Sequence, residues 1–231
     1  MTEQGITILN DVTLNSVSND GNKPVITANG QNHTFDAVLY ATGRKPNTAN
    51  IGLENTDITT NERGAIVVND TCESSVPGVY AVGDVNGGPQ FTYISLDDFR
   101  IVFGALTGNG QYTLKDRKNI PYTTFLTPPL ARVGLTEEDA INKGYTVKTK
   151  EMLVATMPRA HVNDYLKGAF KIVVNADNDL ILGATLYSQG AEELINLIKM
   201  AMDNNIPYTY FKNQIFTHPT MAENLNDLCN F

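Results

Sequence analysis

Apolar and polar positions along the first forty residues alternate in short stretches broken by turn formers. Ile6 to Leu9, Val12 to Val17 and Val25 to Ala28 are β-prone, separated by Ser18-Asn19-Asp20-Gly21-Asn22 and Asn29-Gly30-Gln31-Asn32. That pattern predicts a β-meander. It runs into Phe35 to Ala41, a nearly continuous apolar stretch of the kind buried on both faces of a sheet, closed by the turn Thr42 to Asn47. Val79 to Val82 is a second such stretch, ending in Gly83-Asp84, and Ala65 to Val68 predicts a smaller pair around the Asn61 to Gly64 turn.

From Thr92 the period changes. Phe99, Val102, Phe103 and Leu106 recur at three and four, and Gly108 follows, which predicts a helix over Thr92 to Thr107. The polar stretch Gly108 to Asn119 reads as a domain boundary. Beyond it, Tyr122 to Leu126, Ala131 to Leu135 and Tyr145 to Met157 predict extended chain, and Thr136 starts a short capped helix that Gly144 ends. Phe170, Ile172 and Val174 alternate and turn at Asn175 to Asp179 into Leu180 to Leu186, an antiparallel hairpin. Glu192 to Met202 is a strongly amphipathic helix with Leu194, Ile195, Leu197, Ile198, Ala201 and Met202 on one face, and a last helix is predicted from about Met221 to Leu228. The apolar face has two open fates, a partner or the chain's own sheet.

Seventeen Lys plus Arg against twenty-five Asp plus Glu in 231 residues give a net charge of -8. That field repels phosphate backbones and anionic lipid, so neither nucleic acid nor a membrane is an expected partner. No apolar run approaches the roughly eighteen residues of a bilayer span. The start Met1-Thr2-Glu3-Gln4 lacks the basic and apolar parts of a leader, and the expected location is cytoplasmic. Two cysteines, Cys72 and Cys229, and three histidines, His33, His161 and His218, supply no close-spaced metal ligands, so no metal site is expected. Neither cysteine has an adjacent activating group, and both read as inert.

Two constellations can carry chemistry. Gly83-Asp84 at a strand end is either an ordinary Asp turn or a carboxylate placed to hold the hydroxyls of a ribose or ribityl chain, beside the positive end of the helix starting near Thr92. In His218-Pro219-Thr220-Met221-Ala222-Glu223, Thr220 and Glu223 form a capping box. His218 stands outside the box, as a loop histidine or a general acid or base. His161 has no visible partner and His33 lies in a turn, so both read as surface residues.

Four segments in order resemble the carboxyl-terminal half of the class I pyridine nucleotide-disulfide oxidoreductases, the glutathione reductase, lipoamide dehydrogenase and mercuric reductase family. They are Ala41-Thr42-Gly43-Arg44-Lys45-Pro46-Asn47, Val76 to Asp84, Phe125 to Pro129 with Val133 to Glu137, and His218-Pro219-Thr220 with Glu223. The resemblance implies an α+β fold: an antiparallel sheet with helices, the family's dimerisation domain, preceded by an incomplete α/β FAD-binding portion. The implied division is residues 1–40 as the remnant of an NAD(P)-binding domain, 41–115 as the second segment of the FAD-binding domain, and 116–231 as the dimerisation domain.

The resemblance also implies that Asp84, Gly83, Thr42, Gly43, Thr92 and Tyr93 approach FAD. It implies that His218, oriented by Glu223 and fixed by a cis bond before Pro219, moves a proton at the active thiol of a partner subunit in a homodimer. Tyr93 stands where most of that family carry proline or histidine. The family's GxGxxG loops and CxxxxC disulfide have no counterpart here; Gly108-Asn109-Gly110 has Thr113 in place of a third glycine. The reading is therefore a fragment of an FAD-dependent NAD(P)H:disulfide oxidoreductase, truncated and inactive alone, that needs the missing N-terminal half. The alternative is a non-catalytic dimerisation or binding module.

Overall fold

The computed structural model describes Thr2 and residues 5–231; Met1, Glu3 and Gln4 of the opening segment lie outside them. Strands β1 (Leu14–Asp20), β2 (Lys23–Ala28) and β3 (Gln31–Thr34) form the expected meander, an antiparallel sheet in sequence order. Asn29 and Gly30 both take positive φ, 48° and 76°, and form a two-residue turn whose twist suits a hairpin. Ile6 to Leu9 is not a strand, and His33 lies on β3 rather than in a turn.

The two apolar stretches expected as buried strands are not paired. Residues 35–41 have no strand neighbour, Leu39 is 89% exposed and Tyr40 is exposed. Residues 79–82 make a single bridge, Tyr80 to Glu73, and Ala65 to Val68 is likewise reduced to a bridge between Thr60 and Ile66. A parallel-type strand exists only with neighbours on both edges. Among the described residues only the Tyr80–Glu73 bridge supplies one.

Helix α1 spans Thr92–Thr107, as its period and Gly108 predict. Its buried side is Ile94, Asp98 and Ile101, whereas Phe99, Phe103 and Leu106 face outward. The expected boundary segment after it is ordered, with a 3-10 turn at Leu114–Asp116 closed by a Thr113–Asp116 capping box.

The second sheet has five antiparallel strands in the order β4-β5-β8-β7-β6: β4 (Tyr122–Thr124), β5 (Leu130–Gly134), β6 (Val147–Leu153), β7 (Ala169–Asn175) and β8 (Ile181–Tyr187). Its alternation buries Phe170, Ile172 and Val174. Three short helices, α2 (Glu137–Asn142), α3 (Pro158–Val162) and α5 (Tyr208–Asn213), accompany the long α4 (Ala191–Asp203) and the closing α6 (Asn224–Leu228). The sequence pattern predicts neither α3 nor α5, each a single turn and a half with few periodic positions.

The open question at α4 is answered within the chain: Leu194, Ile195, Ile198 and Ala201 are buried in the same core as β7 and β8, and Leu197 and Met200 face outward. Helix and antiparallel sheet together make the chain α+β.

Carboxylates stabilise the helix starts. Thr136 Oγ1 accepts from Asp139 N–H at 3.0 Å, and Asp139 Oδ2 accepts from the Thr136 amide and hydroxyl. Those bonds hold the Asp139 carboxyl below its ordinary 3.8, and the corresponding Thr113 bonds do the same for Asp116. The hydrogen bond and charge of Lys171 hold Glu137 below its ordinary 4.5. Folded values below unfolded ones contribute stability above about pH 4.5 that is lost as pH falls through the lowered values. Urea unfolding should therefore give lower stability at about pH 3 than at about pH 6. Asp139→Asn should flatten part of that slope, and an identical slope in the variant would exclude Asp139 from the effect.

Candidate functional site

The 3-10 turn Gly83–Asn86 leads from residues 79–82 toward α1. Gly83 has φ 73°, and a Cβ placed on it would stand 3.0 Å from Ser95 Oγ in the first turn of α1. A side chain there would push the turn off the helix. The Gly83 amide donates to Asp98 Oδ2 at 2.7 Å, one turn further along α1. The Gly83-Asp84 corner thus lies against the amino-terminal half of the helix.

Asp84 Oδ2 accepts from Arg44 Nη1 at 3.0 Å, a half-exposed ion pair that brings the segment carrying Thr42 and Gly43 beside the corner. Gly43 takes φ 105°. Thr92 and Tyr93 open α1, whose start has no side-chain cap; the Phe91 carbonyl takes the Ile94 and Ser95 amides, which leaves those of Thr92 and Tyr93 for an acceptor. Tyr93 is exposed; its hydroxyl accepts from Arg100 Nη2 at 3.2 Å, and the guanidinium lies over its ring. A cleft of about 750 Å³ opens between this start and α4, with Phe91, Tyr93, Arg100, Tyr122 and Glu192 among its walls.

His218 is on a separate element, the loop before α6, and its side chain is 71% exposed. The peptide bond to Pro219 is cis. His218 Nδ1 lies 2.7 Å from Glu223 Oε2, while Glu223 Oε1 accepts from the Thr220 amide at 3.3 Å. One carboxylate therefore closes the capping box and orients the imidazole. With a carboxylate accepting, Nδ1 carries the proton, and Nε2 is the atom able to take or give one. No hydrogen bond or ion pair among the described residues joins this pair to Asp84.

Both thiols are buried, and burial pushes Cys72 up to about 11 and Cys229 up to about 12. His161 Nε2 meets the Ala155 carbonyl at 2.8 Å on the surface. Gly108 ends α1 and Gly110 packs on Gly104, so the Gly-Asn-Gly stretch closes a helix instead of opening one. The pattern does not point to Asp97, Asp98 and Arg117, which form an ion-pair cluster around the buried Asp98 behind the Gly83 turn. An aspartate between Ile94 and Ile101 on one helical face was the available signal.

The family description for the pyridine nucleotide-disulphide oxidoreductase dimerisation domain matches residues 120–229, and that for pyridine nucleotide-disulphide oxidoreductases matches residues 1–98. The chain belongs to this family. It is 44% identical over 226 residues to the probable pyridine nucleotide-disulfide oxidoreductase RclA of Escherichia coli K12, covering 98% of this chain and 51% of that protein. It is 36% identical to the mercuric reductase of Staphylococcus aureus, covering 97% of this chain and 42% of that one.

The solved structure of RclA, described as an HOCl-induced flavoprotein disulfide reductase, superposes with a TM-score of 0.94 at 43% identity, over 99% of this chain and 52% of that one. LpdA of Mycobacterium tuberculosis, at 22% identity, shares the fold, with a TM-score of 0.88 over 99% of this chain and 50% of LpdA. The chain spans about half the length of these relatives. No helix among the described residues is long and apolar enough to cross a membrane.

Proposed function

We propose that this chain is the flavin-edge and assembly portion of an FAD-dependent NAD(P)H:disulfide oxidoreductase, working as a homodimer in the cytoplasm and requiring an N-terminal half of the family's kind. In this reading residues 1–40 belong to the NAD(P)-binding domain, 41–115 to the FAD-binding domain and 116–231 to the dimerisation domain. The observation that carries it is the corner. Asp84 and the uncapped start of α1 stand together, and of the two apolar strand sequences leading into the corner, 35–41 has no strand partner and 79–82 has only the single Tyr80–Glu73 bridge. Such segments gain stability when neighbouring strands cover them.

The donor set fits one edge of FAD. Asp84 would accept hydrogen bonds from ribityl hydroxyls, and the first-turn amides at Thr92 and Tyr93 would face the negative charge of a reduced ring. Gly43 and Thr42 would lie close by. FAD, when bound, supplies electron transfer between NAD(P)H and a disulfide. His218, held at Nδ1 by Glu223, takes or gives a proton at Nε2 for a thiol of the partner subunit. The outward Leu197 and Met200 of α4 supply apolar surface for a second copy.

Alone, the chain lacks the glycine loop that holds the FAD pyrophosphate and the reducible cysteines, so it is expected to be colourless and inactive. Mixed with the N-terminal half of RclA and FAD, then desalted, it should retain flavin absorbance in the visible, and Asp84→Ala should weaken that retention by about tenfold. Retention by the chain alone would overturn the requirement for the other half. A complemented complex that stays colourless would favour the assembly-module reading, for which the outward face of α4 is the supporting feature.

A further inference from the structure

Asp98 is 0% exposed, on the buried side of α1 between Ile94 and Ile101. A carboxylate in that position is tolerated only if its oxygens are fully engaged. Oδ2 accepts from the Gly83 amide at 2.7 Å and from Asn86 Nδ2 at 2.9 Å, and Oδ1 pairs with Arg117 Nη2. Gly83 and Asn86 are the two ends of the turn, and Asp84 lies between them. Holding both ends on one carboxylate fixes the direction in which Asp84 projects.

Arg117 extends the grip. Its Nε donates to Asp97 Oδ2 at 2.7 Å, so one guanidinium spans two consecutive helical carboxylates, and Tyr112 Oη adds a longer contact of 3.4 Å to Asp97. Burial alone would pull the Arg117 pKa down, but the bonds to Asp98 and Asp97 raise it above its ordinary value, so the clamp stays charged. Arg117 belongs to the segment that leads into β4 and the five-stranded sheet. The Cys72 thiol is buried within electrostatic reach of Asp98, Arg117 and Asp97, which makes it a reporter of the cluster.

We propose that Asp98 and Arg117 are positioning residues for the cofactor corner: their clamp sets the turn that presents Asp84 and ties that turn to the strand segment leading into the assembly sheet. The proposal rests on the reading of Asp84 as a flavin contact. Removing the guanidinium leaves a buried, uncompensated carboxylate that draws in water and loosens both ends of the turn.

The test uses Arg117→Gln, Arg117→Lys and Asp84→Ala in this chain, alone and complemented with the N-terminal half of RclA. In the chain alone, Arg117→Gln should speed amide exchange at Gly83 and alkylation of Cys72, mapped by mass spectrometry, by about tenfold or more, with exchange at Phe170 in the sheet core unchanged. In the complemented protein it should weaken flavin retention by about tenfold, and Arg117→Lys, which keeps the charge but not the fork, should recover part of it.

Unchanged exchange at Gly83 would overturn the clamp. Faster exchange with undiminished flavin retention would leave Arg117 merely structural and overturn the positioning role. If Asp84→Ala loses flavin and Arg117→Gln does not, only the clamp proposal fails. If Asp84→Ala retains flavin fully, or if the unsubstituted complex binds none, the underlying reading of the corner fails and the proposal falls with it.

Discussion

Replacing His218 with alanine should slow disulfide reduction by about 10²–10⁴-fold in the complemented protein, while NAD(P)H continues to reduce the flavin at an unchanged rate. The split follows from where the imidazole is and what holds it. His218 is far along the chain from the corner that carries Asp84, on an exposed loop with its Nδ1 occupied by Glu223. It has one free nitrogen and no described bond to the cofactor corner, so it can affect only a step in which a proton moves at Nε2. Rapid mixing with NADPH or NADH isolates flavin reduction, and mixing the reduced protein with a small disulfide isolates the thiol step. A thiol step that runs at full speed without His218 would remove the imidazole from the mechanism.

Glu223→Gln should produce a smaller loss in the same step, because a glutamine can still accept from Nδ1 at its carbonyl oxygen, though through a weaker, uncharged bond. It should also cost some stability locally, since the same side chain accepts from the Thr220 amide. The two effects are separable by comparing Thr220→Ala. That variant removes the hydroxyl that accepts from the Glu223 amide at 3.3 Å and leaves the His218 contact in place.

What could be read from the sequence follows a physical line between elements that carry their own partners and elements that do not. The β7–β8 hairpin, the capped α2 and the apolar stripe of α4 are legible because Phe170, Leu186, Ile195 and Ile198 bury one another within the described chain. Residues 35–41 and 79–82 carry an equally strong strand signal, yet the first is unpaired and the second makes only the Tyr80–Glu73 bridge, because a strand needs a neighbouring line of hydrogen bonds along its length.

Helix α1 lies between these cases. Its limits were set locally by period and by Gly108. Its inward side was not, because apolar residues occur on both faces and the face chosen is the one with Asp98, whose carboxylate is satisfied by a guanidinium nineteen positions away. Pairing over that distance leaves no periodic trace. At the candidate site, the capping box and the histidine were each visible as motifs. The resemblance already implies that Glu223 orients His218; which of its oxygens serves the imidazole and which the Thr220 amide depends on the fold of the loop.

Phe170→Ala should destabilise the five-stranded sheet by about 3–5 kcal/mol, the usual loss for truncating a fully buried aromatic ring. Phe170 lies opposite Met152 on β6 and Leu186 on β8, under α4 and α6, and no rearrangement of exposed side chains can fill the space it leaves. Urea unfolding followed by tyrosine fluorescence should show the sheet's transition moved to lower denaturant. Amide exchange on β1 to β3 should be unaffected, because that meander forms a sheet separate from the five-stranded one.

Met200→Ala is the informative contrast. Met200 is on the same element as Ile198 but is 62% exposed, so its truncation should change the sheet's stability by less than about 0.5 kcal/mol. Its effect should appear instead in the concentration dependence of self-association, measured by sedimentation. If Met200→Ala instead lowered stability as much as Phe170→Ala, α4 would have to be buried on both sides within one chain, and the assembly role given to its outer edge would be wrong. A stable variant with weakened association would separate the two faces of one helix, the inner holding the sheet together and the outer holding two copies in register so that each His218 can reach its neighbour.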